Sequence, residues 1–339
     1  MIEPCQFMEI AETCGLSSGD IPALEAAVQF SHRALVTARE AARSTPLDPP
    51  HALCALALGS VGRMEASAAS DLDLAVVFDP TKTTRARAEV MREALVTELA
   101  AHFDIPQKTF RAAIDLHDLL RNVGGQRDTN LRLTYRALIL TEAAWVFEEA
   151  ACHRVRQEIF NVYADGRVTR GKLLTSLAND LHRYWRTVCV DYRFKVEEQS
   201  KGWALRSLKL RHSRKLWHLS NITLQLWAAS VVPAATSVDA QIFDRLHWPT
   251  LAKLGACLRD LGLASVAPPL YRAHDNFLHA LSSVEVRDEL DALAYEHRHS
   301  SPRYVALRAN ARELDAACEE VVAALWGIDR SHLIRFCLL

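Results

Sequence analysis

Residues 58–78 restrict what this chain can become more than any other stretch. An apolar run ends at Leu58, Gly59 and Ser60 turn the chain, a polar loop follows, and a second apolar run begins at Asp71. Short apolar runs bounded by Gly, Pro and Asp suit buried strands, here residues 51–58 and 71–78. The chemistry then lies where the strands meet the loop. Gly59 lets the backbone approach a ligand without a Cβ, and Ser60 offers a hydroxyl and an amide. Successive amides in such a turn form a concavity for phosphate oxygens, to which Arg63 can add a charge-assisted contact. The plain alternative is an ordinary strand-to-turn connection.

Asp71 and Asp73 carry more information. On a strand, residues two apart share a face, so both carboxylates are expected to converge. Two close carboxylates repel unless a cation lies between them, and hard oxygen donors suit Mg2+ (or Mn2+) that also holds substrate phosphates. The alternative is a surface strand with two solvated acids. Leu72, Leu74, Val76 and Val77 argue instead for a buried strand whose acids emerge at its end.

Gly59-Ser60, ten intervening residues and Asp71-Leu72-Asp73 together resemble the signature of the polymerase-β-like nucleotidyltransferase superfamily. With Gly62, Arg63, Glu65 and Ser70 added, the pattern is most similar to the branch containing the uridylyltransferase of the PII signalling protein and the glutamine synthetase adenylyltransferase. That resemblance implies two-metal transfer of NMP from an NTP, with ATP as the expected donor. Asp71 and Asp73 would hold Mg2+, while Gly59, Ser60 and Arg63 would hold the phosphates. Ser70 would cap the turn before the strand, and Glu65 would orient Arg63 or approach the metal. A third carboxylate on a neighbouring strand is common in that superfamily. The third strand candidate, residues 107–114, has none in its body, and Asp115 is the nearest acid. Asp115 reads either as that third catalytic group or as the cap of a short helix. In the second case the usual third ligand is missing, or the protein is a non-catalytic nucleotide-binding regulator.

The remainder supplies the frame. A helix is expected from Asp20 to about Ala42, followed by a proline-rich linker at 44–50, and another helix over 81–103. From Arg127 onward the pattern is helical, with no strand-like alternation. Helices are expected near 128–146, 147–163, 168–198, 204–229, 240–262, 268–281, 284–296 and 301–326, with a short one at the C-terminus. The expected class is therefore α+β, with a small α/β head and a larger helical body. The segments are an N-terminal helix and linker (1–50), a nucleotidyltransferase domain (51–125) and a helical domain (126–339).

Two stretches of the body extend the resemblance: residues 128–136, continuing to Glu142, and residues 179–186, continuing to Lys195. The densest basic segment is 201–215, where Lys209 and Arg211 are the candidates for facing the two aspartates across a triphosphate. Trp203 reads as core or as a base-stacking ring. The Arg211 and His218 spacing also resembles the Arg-x(4 to 6)-His element of HEPN-type ribonucleases, which would cleave RNA without metal.

With 40 basic and 41 acidic residues among 339, the chain has no global field for a polyanion, so any such site must be a local patch. Eight scattered cysteines without zinc-site spacing suit a reducing compartment. With no expected membrane span and no secretory signal, the cytoplasm is the expected location. The acceptor is open among a protein side chain, a small-molecule hydroxyl and a nucleotide, and nucleic acid stays among the open partners. The two named enzymes modify proteins, which favours a protein acceptor.

Overall fold

The computed structural model describes residues 2–45, 52–106, 109–164, 170–197, 202–231 and 238–335, with 170–174, 193–195 and 197 described by backbone alone. Most of the expected linker at 44–50, the first two residues of the 107–114 strand, the breaks at 165–166 and 232–233, Lys201 and residues 336–339 lie outside the described residues. The chain is α+β and divides into two compact units. One comprises residues 28–169 with 246–249, and the other residues 2–27, 170–245 and 250–339.

The N-terminal stretch is more ordered than its weak pattern suggests. Pro4 opens α1 (Pro4–Thr13) behind a capping box between Glu3 and Gln6. A second proline starts α2 (Pro22–Arg43), whose residues from Val28 onward belong to the first unit.

The first unit is built on β1 (Leu53–Leu58), whose six residues are all buried. A one-turn helix α3 (Gly59–Gly62) and a loop lead into β2 (Asp73–Phe78), antiparallel to β1 with Leu58 opposite Asp73. Helix α4 (Arg85–Leu99) crosses to the two-residue β3 (Ile114–Asp115), parallel to β2, and α5 (Leu116–Leu120) follows directly. Next come α6 (Asn130–Thr141), β4 (Ala144–Phe147) and α7 (Glu149–Asn161), giving the strand order β3-β2-β1-β4.

Two expectations change here. The 107–114 strand reduces to its last residue plus Asp115. Residues 144–147, expected as helix, form an antiparallel strand against β1. Helix α6 stops at Glu142, where φ is −142°, and the aromatic and branched Ala-Trp-Val-Phe run finds the open edge of β1. Residues 126–164, beyond the composition change near Gly125, thus fold with the sheet. Their anchor is a bidentate pair from Arg136 to Asp128, both bonds 2.8 Å, with side chains 0% and 1% exposed.

The second unit is helical throughout its described residues: α8 (Arg170–Glu197), α9 (Trp203–Lys209), α10 (Lys215–Ser230), α11 (Val238–Leu246), α12 (Thr250–Asp260), α13 (Pro268–Leu281), α14 (Val284–Ala292) and α15 (Pro302–Leu333). Its centre is α12, buried from Thr250 to Leu258 and packed by α1 and α10. Gly255 admits the Tyr271 hydroxyl, which donates to the Leu251 carbonyl at 2.8 Å; a Cβ there would collide with that hydroxyl. A five-residue π-helical turn, Leu210–Arg214, joins α9 to α10 within the basic segment. No helix among the described residues is long and apolar enough to cross a membrane.

The π turn is fixed by His212, fully buried and stacked on Phe277 at 4.1 Å. Its Nδ1 lies 2.8 Å from the Leu208 carbonyl and must carry the proton, so Nε2 accepts from the Asn310 amide at 3.1 Å. Burial pushes this imidazole down to about 4. The unfolded chain therefore binds a proton near pH 6.5 that the folded chain refuses until about pH 4. The stability contributed by neutral His212 is present above pH 6.5 and is lost as pH falls through that window, by roughly 3 kcal/mol. Urea midpoints measured from pH 7.5 to 4.5 should fall with pH, and His212→Gln should flatten that slope.

Candidate functional site

The end of β1 carries the site because its last residue delivers the chain into a left-handed turn. Gly59 has φ +65°, and a Cβ on it would run into the Asp73 carboxylate. The cross-strand pairing of Leu58 with Asp73 sets this contact, since it brings the turn over the acid. Gly59 is required twice, by its backbone and by the space above it. Ser60 is half-buried in the first turn of α3, where amides have no intrahelical acceptor.

The acids themselves differ in backing. Asp73 is the first residue of β2, whereas Asp71 lies in the loop two residues ahead. Burial nevertheless alternates through the stretch: Asp71 and Asp73 are half-buried, and Leu72 and Leu74 are buried. The Leu72 amide donates to the Asp104 carbonyl at 2.8 Å, which extends the strand-like tethering ahead of β2. Ser70 closes the loop by accepting from the Ser67 amide at 3.0 Å.

Arg63 is turned inward. Its Nε donates to Glu65 and its Nη1 to Glu142, both at 2.9 Å, and the residue is 8% exposed. The two carboxylates hold this guanidinium charged, with its pKa raised against the desolvation of burial. Glu142, 1% exposed, also accepts from the Gly59 amide at 3.2 Å. One acid at the edge of β4 thus ties together the Gly59 turn and Arg63. Gly62 lets the backbone through, since a Cβ there would strike the Glu142 carbonyl. Met64 follows Arg63 with φ +60° and is buried, a costly conformation for a side chain with a Cβ. Helix α2 secures the other side, where Ser31 Oγ accepts from the Ala66 amide at 3.0 Å.

Asp115 does not join these acids. It pairs with Phe78 at the far end of β2, five residues from Asp73, or roughly 16 Å at about 3.3 Å per residue. Its carboxylate caps α5 by accepting from the His117 amide at 2.9 Å, and Arg85 lies 3.8 Å away. The cap explains this residue, and its reading as a third catalytic carboxylate fails on distance. No cluster of three or more His, Cys, Asp or Glu side chains suited to a metal occurs among the described residues.

The basic segment is split. Arg211 lines a cavity of the helical unit together with Trp203, whereas Lys209 is exposed and does not line it. His218 is also absent from the lining. It stacks on Trp185 at 4.9 Å and is pushed down to about 3 by burial and by neighbouring His182 and Arg186. Glu142 is the residue that sequence reasoning missed. Its signal was its place at the end of the stretch that continues the family resemblance beyond the head.

Removing Glu142 should expose the dependence directly. Glu142→Ala leaves Arg63 with one partner and the Gly59 amide with none of its side-chain acceptor, at a cost of about 3–5 kcal/mol. In a double-mutant cycle with Arg63→Ala, urea unfolding should give a coupling of about 1–3 kcal/mol, whereas additive losses would contradict the shared network.

The model of a family described as "Putative nucleotidyltransferase DUF294" matches residues 21–107. That span contains α2, β1, α3, β2 and α4, and with them Gly59, Ser60, Arg63, Asp71 and Asp73. No curated protein matches the chain. The match supports the nucleotidyltransferase superfamily, and with it nucleotidyl transfer as the general class of activity.

Proposed function

We propose that the head is a metal-dependent nucleotidyltransferase that takes NMP from an NTP, with ATP as the donor. The observation that carries this reading is the left-handed Gly59 lying against the Asp73 carboxylate. A phosphate turn and an acid in direct contact are what a nucleoside triphosphate with its cation requires, and an ordinary strand connection has no use for that contact. The family match over the same residues supports it.

In this reading Asp71 and Asp73 hold Mg2+ or Mn2+. Two carboxylate donors would fit a small hard cation of the kind that also binds substrate phosphates. When bound, such a cation neutralises charge on the phosphates as the α-phosphorus is transferred. The turn takes the outer phosphates through the Ser60 amide and hydroxyl, the Gly59 amide being held by Glu142. Arg63 acts through the turn rather than on the nucleotide, because both its carboxylate partners hold it in the interior. The acceptor hydroxyl attacks the α-phosphorus in line with departing pyrophosphate, so one P–O bond forms as one breaks. With both acids committed to the cation, the hydroxyl proton passes to solvent. A protein side chain is the preferred acceptor by analogy with the resembled enzymes, and the cytoplasm is the proposed location.

One observation favours a second reading. Asp115 lies at the wrong end of β2, and Glu142 is committed to Arg63 and Gly59. A site with two acids in place of three suits a regulator that binds nucleotide without transferring it. The ribonuclease reading lacks this kind of support, because Arg211 and His218 do not share the cavity.

Incubation with α-labelled ATP, Mg2+ and a panel of protein and small-molecule acceptors separates the two. Transfer with pyrophosphate release, reduced at least 100-fold by Asp71→Asn or Asp73→Asn, is the expected result. Mg2+-dependent ATP binding without pyrophosphate release across the panel would favour the regulator.

A further inference from the structure

The helical unit contains a cavity of about 570 Å³, and every residue lining it belongs to that unit. This volume is in the range of small-molecule sites, roughly 300–1,000 Å³. Its lining carries Arg211, Lys215, Arg298, Arg308 and Arg312, and no Asp or Glu. Lys215 is neutralised by Asp315, and Arg298 lies 3.9 Å over the Tyr295 ring while donating to that residue's carbonyl. Arg211, Arg308 and Arg312 have no ion pair or hydrogen bond among the described residues. Three guanidinium groups around one concavity repel each other, and an anion with several oxygens relieves that repulsion.

Five aromatic residues, Trp185, Tyr192, Trp203, Tyr295 and Tyr304, share the wall with small and aliphatic side chains. Trp203 meets Tyr295 edge-on at 4.9 Å and Tyr304 at 5.1 Å. Its indole nitrogen is buried without a hydrogen-bond partner. Tyr192 adds a further ring and reaches the Trp203 carbonyl at 3.4 Å. Together they offer apolar ring faces and edges, with Trp203 set nearly perpendicular to both tyrosines. The two halves meet through the π turn, the kind of local widening often found at functional sites. That turn leaves both Arg211 and Lys215 on the cavity wall.

We propose that this cavity is a separate binding site for a nucleoside phosphate. The phosphate lies against Arg211, Arg308 and Arg312, and the base lies against the Trp203 cluster. The site needs neither Asp71 nor Asp73, and it stands whether or not the head transfers nucleotides. It gives the helical unit a ligand of its own, as regulator or as acceptor.

The full chain in EDTA, which silences any metal-dependent site in the head, is titrated with ATP, AMP, adenosine and inorganic pyrophosphate by calorimetry. Tryptophan fluorescence is recorded in parallel, since Trp185 and Trp203 line the cavity. AMP or ATP should bind and quench the fluorescence, with adenosine and pyrophosphate each at least tenfold weaker. Arg308→Ala with Arg312→Ala should weaken binding at least tenfold; both side chains are at least partly exposed, so the fold should survive. Trp203→Leu should weaken the nucleotides but not pyrophosphate, and Asp73→Asn, which removes transfer, should leave the affinity measured in EDTA where it is. Absence of nucleotide binding in EDTA overturns the proposal, as does binding that survives the arginine substitutions or is lost with Asp73→Asn. Pyrophosphate binding as tight as ATP, or capture of an acidic peptide in place of nucleotides, also overturns it. Loss of transfer activity with this binding intact would count against the head alone.

Discussion

A guanidinium buried at the end of a sheet has to be neutralised where it lies, and Arg63 is neutralised by Glu65 and Glu142. The loop between β1 and β2 depends on that neutralisation. Glu65 is local, two residues away, and holds the loop against itself. Glu142 comes from 79 residues downstream and carries the bond to the Gly59 amide as well. Buried charges of this kind add little net stability compared with an apolar packing, but they are costly to break and they specify one arrangement. Here the arrangement is a left-handed glycine held over an aspartate. The strain at Met64 is tolerated because the surrounding contacts leave the chain no other course.

This division of labour separates the residues that hold the turn from those that the proposed function sets against a substrate. Arg63, Glu65, Glu142 and Gly62 belong to the first group, and their burial is the reason. Gly59, Ser60, Asp71 and Asp73 belong to the second, with the acids half-exposed between buried leucines. A charge beside the Gly59 turn invites a catalytic role, yet a side chain 8% exposed between two carboxylates has little left to offer a ligand. The helical unit shows the opposite case in Arg211, Arg308 and Arg312, whose charges have no internal partner among the described residues.

Legibility followed sequence distance. Gly59, Asp73 and the two strands around them were readable because their spacing is local and strand periodicity acts over a few residues. The α+β class was readable too, from the change to helical periodicity beyond Arg127. Glu142 was not, since nothing local announces a partner so far along the chain. Strand β4 was hidden because Ala-Trp-Val-Phe follows a helical pattern directly and becomes a strand only when β1 offers an unpaired edge. Asp115 posed a choice between cap and catalyst that only the register of β3 against β2 resolves. Arg211 and Lys209 looked equivalent in the basic segment, and the π turn at Leu210–Arg214, which no propensity rule foretells, sets Arg211 on the cavity and leaves Lys209 off it.

The central claim is that Gly59 and Asp73 act as one unit in holding a nucleotide and its cation. Mn2+ binding followed by electron spin resonance, in the presence of a non-hydrolysable ATP analogue, tests it most directly. The account predicts that Gly59→Ala, which adds a methyl group where the Asp73 carboxylate lies, abolishes tight Mn2+–nucleotide binding as fully as Asp73→Asn does. A Gly59→Ala protein that is folded and binds like the wild type would contradict it.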